Sequence, residues 1–157
     1  MVQLEIRALE EDDSGSWQAL LAEQSSSYRQ DFAPFRDESR KGLQQCLSEA
    51  RKDGYWGVWK AGCLAGFFML RGWDEGYERP SFGILIDEAA SGIGLGRLCL
   101  QFSITECRIR GTKDLMLKVA AENIRARHLY ESMGFTTEEV CPETGHLKMN
   151  LALALQP

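Results

Sequence analysis

The sequence predicts one α/β domain spanning residues 1–157, with the element order β-α-α-β-β-β-α-β-α-β-β. Three observations carry this expectation. Short segments alternate apolar and polar residues with the period of a half-buried strand, longer ones repeat apolar residues at helical spacing, and glycines punctuate the joints between them. A chain of 157 residues is also the usual size for a single hydrophobic core, and no repeat, low-complexity tract or linker divides it.

Leu4, Ile6 and Ala8 alternate within Val2 to Ala8 and read as the first strand. Asp12, Asp13 and Ser14 then suit the cap of a helix carrying Trp17, Leu20 and Leu21 on one face. After a break over Ser25 to Pro34, Leu43, Cys46, Leu47 and Ala50 recur helically within Asp37 to Lys52. The segment between these helices, Tyr28 to Phe35, is either an aromatic loop that touches substrate or a helix connection tethered by Phe32 and Phe35.

Gly54 closes the second helix, and Tyr55–Lys60 with Cys63–Arg71 reads as a hairpin turning at Ala61-Gly62. The polar loop Trp73 to Arg79 leads to a strand from Ser81 to Ile86. The period then changes. Leu95, Leu98, Cys99 and Phe102 form the stripe of a helix from Gly96 to Arg110, which Gly111 ends in a left-handed position. Leu115, Leu117 and Val119 mark another strand. Asn123 opens a helix with Ala126, Leu129, Tyr130 and Met133 on one face, stopped by Gly134, and strands at Phe135–Cys141 and Leu147–Leu155 follow.

The charge balance bounds the partners. With 18 Lys and Arg against 23 Asp and Glu the net charge is -5, which disfavours a nucleic-acid backbone and fits small soluble partners. Cys46, Cys63, Cys99, Cys107 and Cys141 lack zinc-ligand spacing, so reduced, mostly buried thiols and no metal site are expected. The N-terminus lacks the basic-then-apolar pattern of a leader, and the apolar run Ala61–Leu70 is too short to span a bilayer. A cytoplasmic protein without a membrane partner is the expectation.

The most informative stretch runs from Ile84 to Leu98. Gly92, Gly94 and Gly96 permit a tight backbone path into a helix, where unpaired N–H groups and the helix dipole favour a phosphate, and Arg97 adds a charged donor. The same pattern also suits a plain strand-to-helix turn with Arg97 facing water. A dinucleotide fold is disfavoured because the next strand lacks the acidic ribose contact, and no Gly-Lys-Ser or Gly-Lys-Thr follows to make a Walker loop.

Here the sequence resembles the GCN5-related N-acetyltransferase superfamily. That family carries Arg or Gln, two variable residues, Gly, a variable residue, and Gly or Ala at the start of its long helix; the frame here is Ser91-Gly92-Ile93-Gly94-Leu95-Gly96. A second block, Asn123 to Phe135, matches the family's Asn-to-Tyr-to-Gly-Phe segment in the correct order and separation. Together with the opening strand and its Ile6-to-Asp12 transition, the resemblance covers essentially the whole chain.

The resemblance implies an acyl-CoA N-acyltransferase fold: a mixed, mostly antiparallel sheet, splayed between its fourth and fifth strands and flanked by helices. It implies acetyl-CoA as the acetyl donor. Backbone groups of Ile84, Leu85 and Ile86 meet the pantetheine arm, and Gly92, Ile93, Gly94, Leu95, Gly96 and Arg97 cradle the pyrophosphate. Asn123 is placed near pantetheine and Tyr130 near the sulfur. Ser91 departs from the usual Arg or Gln, keeping a hydroxyl and an available backbone N–H; Ile93 brings bulk where a polar residue is common. Altered cofactor affinity is expected from both.

A neutral phenol at Tyr130 suits protonation of the thiolate leaving CoA, although helical spacing alone also fits a core-edge tyrosine beside Leu129 and Met133. The acidic base that some members carry before this helix is replaced by Lys118, leaving Glu75, Glu78, Asp87 and Glu88 as substitutes, His146 as a weaker one, and His128 as exposed or structural. Backbone N–H groups at Leu85 or Ile86 are the expected oxyanion donors.

The function expected is N-acetylation of a primary amine, a small metabolite, by direct transfer in a ternary complex. The acidic, aromatic Trp73-to-Arg79 loop, with Asp74 and Tyr77, favours a cationic acceptor. A protein N-terminal or lysine acetyltransferase and a catalytically inactive acyl-CoA-sensing domain are the alternatives. Leu151 to Leu155 is either a surface for a homodimer or an internal strand.

Overall fold

The computed structural model describes residues 2–30 and 32–154. In order come β1 (Leu4–Ala8), α1 (Ser14–Glu23), α2 (Ser26–Arg29), α3 (Arg40–Glu49), β2 (Gly54–Lys60), β3 (Cys63–Arg71), β4 (Ser81–Ile86), α4 (Leu95–Ile109), β5 (Asp114–Val119), α5 (Ile124–Ser132), β6 (Thr136–Val140) and β7 (Leu147–Ala152). The strands make a 7-stranded sheet in the order β1-β2-β3-β4-β5-β7-β6. It is mixed and mostly antiparallel: β1 with β2, β5 with β7 and β6 with β7 run antiparallel, and β4 runs parallel to β5.

The expected splay corresponds to a short ladder. Among the described residues β4 registers with β5 only at Ser81↔Met116 and Phe82↔Leu117, whereas β5 and β7 register from Asp114↔Ala152 to Val119↔Leu147. The chain divides into two compact units, Met1–Met69 with Ile84–Gly96, and Leu70–Gly83 with Arg97–Pro157.

In the first unit the core gathers Leu9, Trp17, Leu20, Leu21, Leu43, Tyr55, Phe67, Met69 and Leu85. Trp17 is fully buried and meets Phe35 edge-on at 5.1 Å and Phe67 at 5.2 Å, geometries that suit the ring quadrupole. Phe32 and Phe35 pack against this cluster, so the tethered-connection reading of the aromatic segment describes them. The short helix α2 was not expected there; Ser25 initiates it by accepting a hydrogen bond from the Tyr28 N–H at 3.2 Å. Asp31 lies outside the described residues.

Two helix starts differ from expectation. Asp13 does not cap α1, because its carboxylate accepts from Arg7 at 2.8 and 3.1 Å and from the Glu10 N–H at 2.7 Å. Helix α3 begins at Arg40 rather than Asp37, since the Ser39 hydroxyl accepts from the Gly42 N–H and the Asp37 carboxylate turns the chain by holding the Ser39 N–H. The hairpin turn is as expected: Ala61 and Gly62 both have positive φ, 50° and 83°, the handedness that matches strand twist.

In the second unit β7 lies between β5 and β6 and buries Leu147 and Met149. Leu151 pairs with Leu115, and Leu153 is buried with its N–H on the Lys113 carbonyl, so the described part of the terminal apolar run is internal; Leu155 lies outside the described residues. Helix α4 buries Cys99, Leu100, Ile104 and Cys107 at helical spacing. The five cysteines are all free thiols, but they are not mostly buried: Cys99 and Cys107 are, Cys46 and Cys141 are half-buried, and Cys63 is exposed at the start of β3.

Candidate functional site

The first unit supplies the end of β4 and the glycine loop. The Asp87 N–H donates to the Ala65 carbonyl at 2.8 Å, and the Leu85 carbonyl lies beside Gly66 of β3. Backbone groups alternate direction along a strand. Leu85 therefore turns its N–H and carbonyl toward β3, and Ile84 and Ile86 turn theirs to the opposite edge of β4. A Cβ at position 66 would lie 3.0 Å from the Leu85 carbonyl oxygen as well as 2.7 Å from the movable Ile86 Cδ1, so glycine suits the close approach of β3 and β4 here.

Beyond β4 the chain makes a 3-10 turn over Glu88–Ala90, capped by the Asp87 carboxylate, which accepts from the Ala89 N–H at 3.1 Å. That gives the Asp87 carboxylate a structural partner. The Ser91 N–H and hydroxyl both donate to the Glu88 carbonyl, at 3.2 and 2.8 Å. The expectation that this N–H is available to an anion is corrected: the turn closes on itself and uses it. Gly92, Ile93 and Gly94 follow, all exposed, with φ of 85° at Gly92 and 95° at Gly94. A Cβ at Gly94 would meet nothing within 4 Å, so backbone conformation and not crowding demands glycine there. The exposed loop runs into Leu95 and Gly96 at the start of α4, a 15-residue helix whose first N–H groups lack intrahelical partners.

The second unit holds Arg97, Asn123 and Tyr130. Arg97 does not stand free in water: its Nη2 donates to Ser132 Oγ at 3.1 Å, and Nη1 lies 3.2 Å from Met133 Sδ. Helix α5 has no basic residue in its own last turn, and this guanidinium supplies a cation at its C-terminal end. Asn123 caps the other end, its Oδ1 accepting from the Ala126 N–H at 3.2 Å. Arg127 pins the approach to α5 by donating to the Ala121 carbonyl at 2.9 Å.

Tyr130 is 8% exposed, with its ring 6.0 Å from that of Phe135. Burial pushes its phenol up to about 12, because the phenolate would lose hydration. Among the described residues its hydroxyl makes no hydrogen bond, so the side chain combines a buried ring with an uncommitted proton donor.

The base candidates are dispersed. Lys118 is exposed on β5 and faces Lys148 across the ladder. Glu75 and Glu78 lie exposed in the loop after β3, where the Arg110 guanidinium covers the Trp73 ring at 4.2 Å and Arg79 donates to Glu138 and Asn150 at 3.0 Å. Trp73 and Arg79 are thus engaged within the chain; Tyr77 is 63% exposed. Glu88 and His128 are exposed and His146 is half-buried.

Sequence reasoning missed Gln24 and Tyr28. Tyr28 Oη donates to the Ile86 carbonyl at 2.5 Å, and Gln24 Oε1 accepts from the Glu88 N–H at 3.0 Å. The aromatic character of the Tyr28-to-Phe35 segment was the one available signal.

The model of the acetyltransferase (GNAT) family matches residues 17–135, which include the glycine loop and the whole of α5. The chain belongs to that family. Its relatives include the ribosomal-protein-bS18 alanine N-acetyltransferase of Salmonella typhimurium, 43% identical over 58 residues, which are 37% of this chain and 39% of that protein. The mycothiol acetyltransferase of Thermobispora bispora is 30% identical over 130 residues, 79% of this chain and 43% of that protein. This GNAT chain therefore spans about two fifths of the length of the curated relatives it matches. In fold it is similar to the spermidine N-acetyltransferase of Vibrio cholerae solved with CoA and spermine, with a TM-score of 0.81 at 23% identity over 96% of each chain.

Proposed function

We propose that this GNAT chain is an acetyl-CoA-dependent N-acetyltransferase that acts on a primary amine of a small metabolite by direct transfer. The observation that carries the reading is Tyr130, a buried phenol with a free hydroxyl in the family's second block. The glycine loop fits the donor: an exposed backbone with two left-handed glycines, at the start of a long helix, can offer N–H groups to phosphate.

Acetyl-CoA supplies a thioester whose acyl carbon is open to attack by a neutral amine. In this reading the edge of β4 turned away from β3 meets the pantetheine amides through Ile84 and Ile86, with the Ile86 N–H as oxyanion donor. Gly92 to Gly96 and Arg97 hold the phosphates, and Asn123 lies by the pantetheine arm while capping α5. As the new C–N bond forms and the C–S bond breaks, Tyr130 gives its proton to the departing sulfur and the amine's proton passes to solvent. The Trp73-to-Arg79 loop, with exposed Glu75, Tyr77 and Glu78, supports a cationic acceptor.

Two observations favour a second reading. With exposed Lys118 in place of an acidic base and Asp87 engaged in a turn cap, the chain also suits an acyl-CoA sensor without turnover. Calorimetric titration with acetyl-CoA, CoA and NAD tests the donor site, and product formation across an amine panel tests the reaction. Selective binding of acetyl-CoA and CoA with acetylated product supports the enzyme. Binding without product from any amine supports the sensor, and no binding overturns both.

A further inference from the structure

The polar groups at the end of β4 are held from outside the strand. Tyr28 Oη donates to the Ile86 carbonyl at 2.5 Å. Gln24, at the end of α1, accepts the Glu88 N–H at 3.0 Å and reaches Asp87 Oδ1 at 3.4 Å with the Nε2 that also donates to the Leu20 carbonyl. With the Asp87 N–H on Ala65 and the Ala89 N–H on the Asp87 carboxylate, a polar group of each residue from 86 to 89 has a named partner. All of these residues lie in the first unit, and Gln24 is buried, so the arrangement is no surface accident.

The direction of the Ile86 carbonyl gives the clasp its meaning. It lies on the edge of β4 turned away from β3, the edge toward which the N–H groups of Ile84 and Ile86 also point. The exposed glycines that follow have no side chains to order them, and the course on which they leave β4 is set by residues 86–91.

We infer that Gln24 and Tyr28 are positioning residues for the acyl-CoA site, a clasp from the α1–α2 segment that fixes the end of β4 and the root of the glycine loop before the cofactor arrives. This inference rests on the proposed acyl-CoA reading. Pre-ordering a loop increases affinity by removing the entropy otherwise lost on binding. Tyr28→Phe keeps the ring that packs on the core and removes only the hydroxyl, and Gln24→Met keeps the length and removes both polar atoms of the amide.

The test is calorimetry with CoA on the wild type and both variants, alongside ligand-free thermal midpoints and the kcat and KM of acetyl-CoA turnover. Loss of a neutral hydrogen bond of ordinary strength predicts a CoA Kd roughly three- to ten-fold weaker in each variant, with the KM for acetyl-CoA rising in step and kcat changing less. CoA affinity within twofold of wild type in both variants overturns the clasp, even if their midpoints fall, since a merely structural contact would do that. Should Tyr28→Phe fail to fold, Gln24→Met decides by the same criterion. A wild type that does not bind CoA defeats the acyl-CoA reading and takes this inference with it.

Discussion

Lys118 and Lys148 stand directly opposite each other in the register of β5 and β7, two ammonium groups across one rung of the ladder. Lys148 finds compensation in Glu138 and Glu139, at 3.8 and 3.9 Å. Opposite charges facing across a sheet contribute roughly 0.2–1 kcal/mol, and like charges cost stability. Lys118→Glu is therefore expected to raise the thermal midpoint by roughly 1–4 °C at this chain length. Calorimetric melting checks it. A lowered midpoint would mean that the new carboxylate feels Glu138 and Glu139 more than Lys148.

Asn123 has an observed task and a proposed one, which substitution separates. Its Oδ1 caps α5 through the Ala126 N–H, and under the proposed function its amide nitrogen donates to pantetheine. Asn123→Ala removes both, at about 1 kcal/mol for the lost cap. Asn123→Asp keeps the acceptor and removes the donor, so it should melt like the wild type yet bind CoA more weakly. Melting and CoA calorimetry on the pair check this, and equal CoA affinity in Asn123→Asp and the wild type sinks the pantetheine role.

Periodicity located the strands and four of the helices because their apolar residues repeat where the core requires them: Trp17, Leu20 and Leu21 on α1, Cys99 on α4, Leu115 and Leu117 on β5. Helix starts were less legible. Asp13 read as a cap and Asp37 as the start of a helix, but a carboxylate can hold several donors, and tertiary context gave Asp13 to Arg7 while Asp37 turns the chain short of its helix. The turn of the glycine loop and the Asn123 cap of α5 could be read locally, because backbone conformation there depends on consecutive residues; spacing placed Tyr130 on α5 but left its role to the family resemblance. The bonds from Gln24 and Tyr28 to residues more than fifty positions away have no local signature, and neither does the tie between Arg97 and Ser132.

Gly94 tests the loop by conformation alone. Its φ is 95° and a Cβ would touch nothing within 4 Å, so alanine introduces strain without a clash. A left-handed L-residue costs roughly 1–2 kcal/mol, paid as lost stability or as a changed loop. Gly94→Ala should therefore weaken CoA binding by more than it lowers the thermal midpoint predicts, since relaxing the loop relieves strain and misdirects its N–H groups. Calorimetry on CoA and differential scanning on the free protein measure the two effects. Unchanged affinity with a lowered midpoint would remove the loop from the binding site.

Tyr130 makes the sharpest pH statement. Burial raises its phenol from 10.0 to about 12, so the folded chain holds this proton more tightly than the unfolded chain does. That contribution to stability is whole below pH 10 and is lost as pH rises from there toward 12. Under the proposed function, the same shift keeps the Tyr130 proton in place as an amine becomes neutral, up to about 12. Tyr130→Phe should lower kcat by about a hundred-fold, the lower range for a positioned acid, while the KM for acetyl-CoA and the circular dichroism change little. In the wild type, kcat should show no alkaline fall from this group below pH 10, the ordinary value for a phenol. A fall centred below that point which vanishes in Tyr130→Phe would mean that the phenol ionises readily, and a donor of that kind could not have come from a desolvated ring.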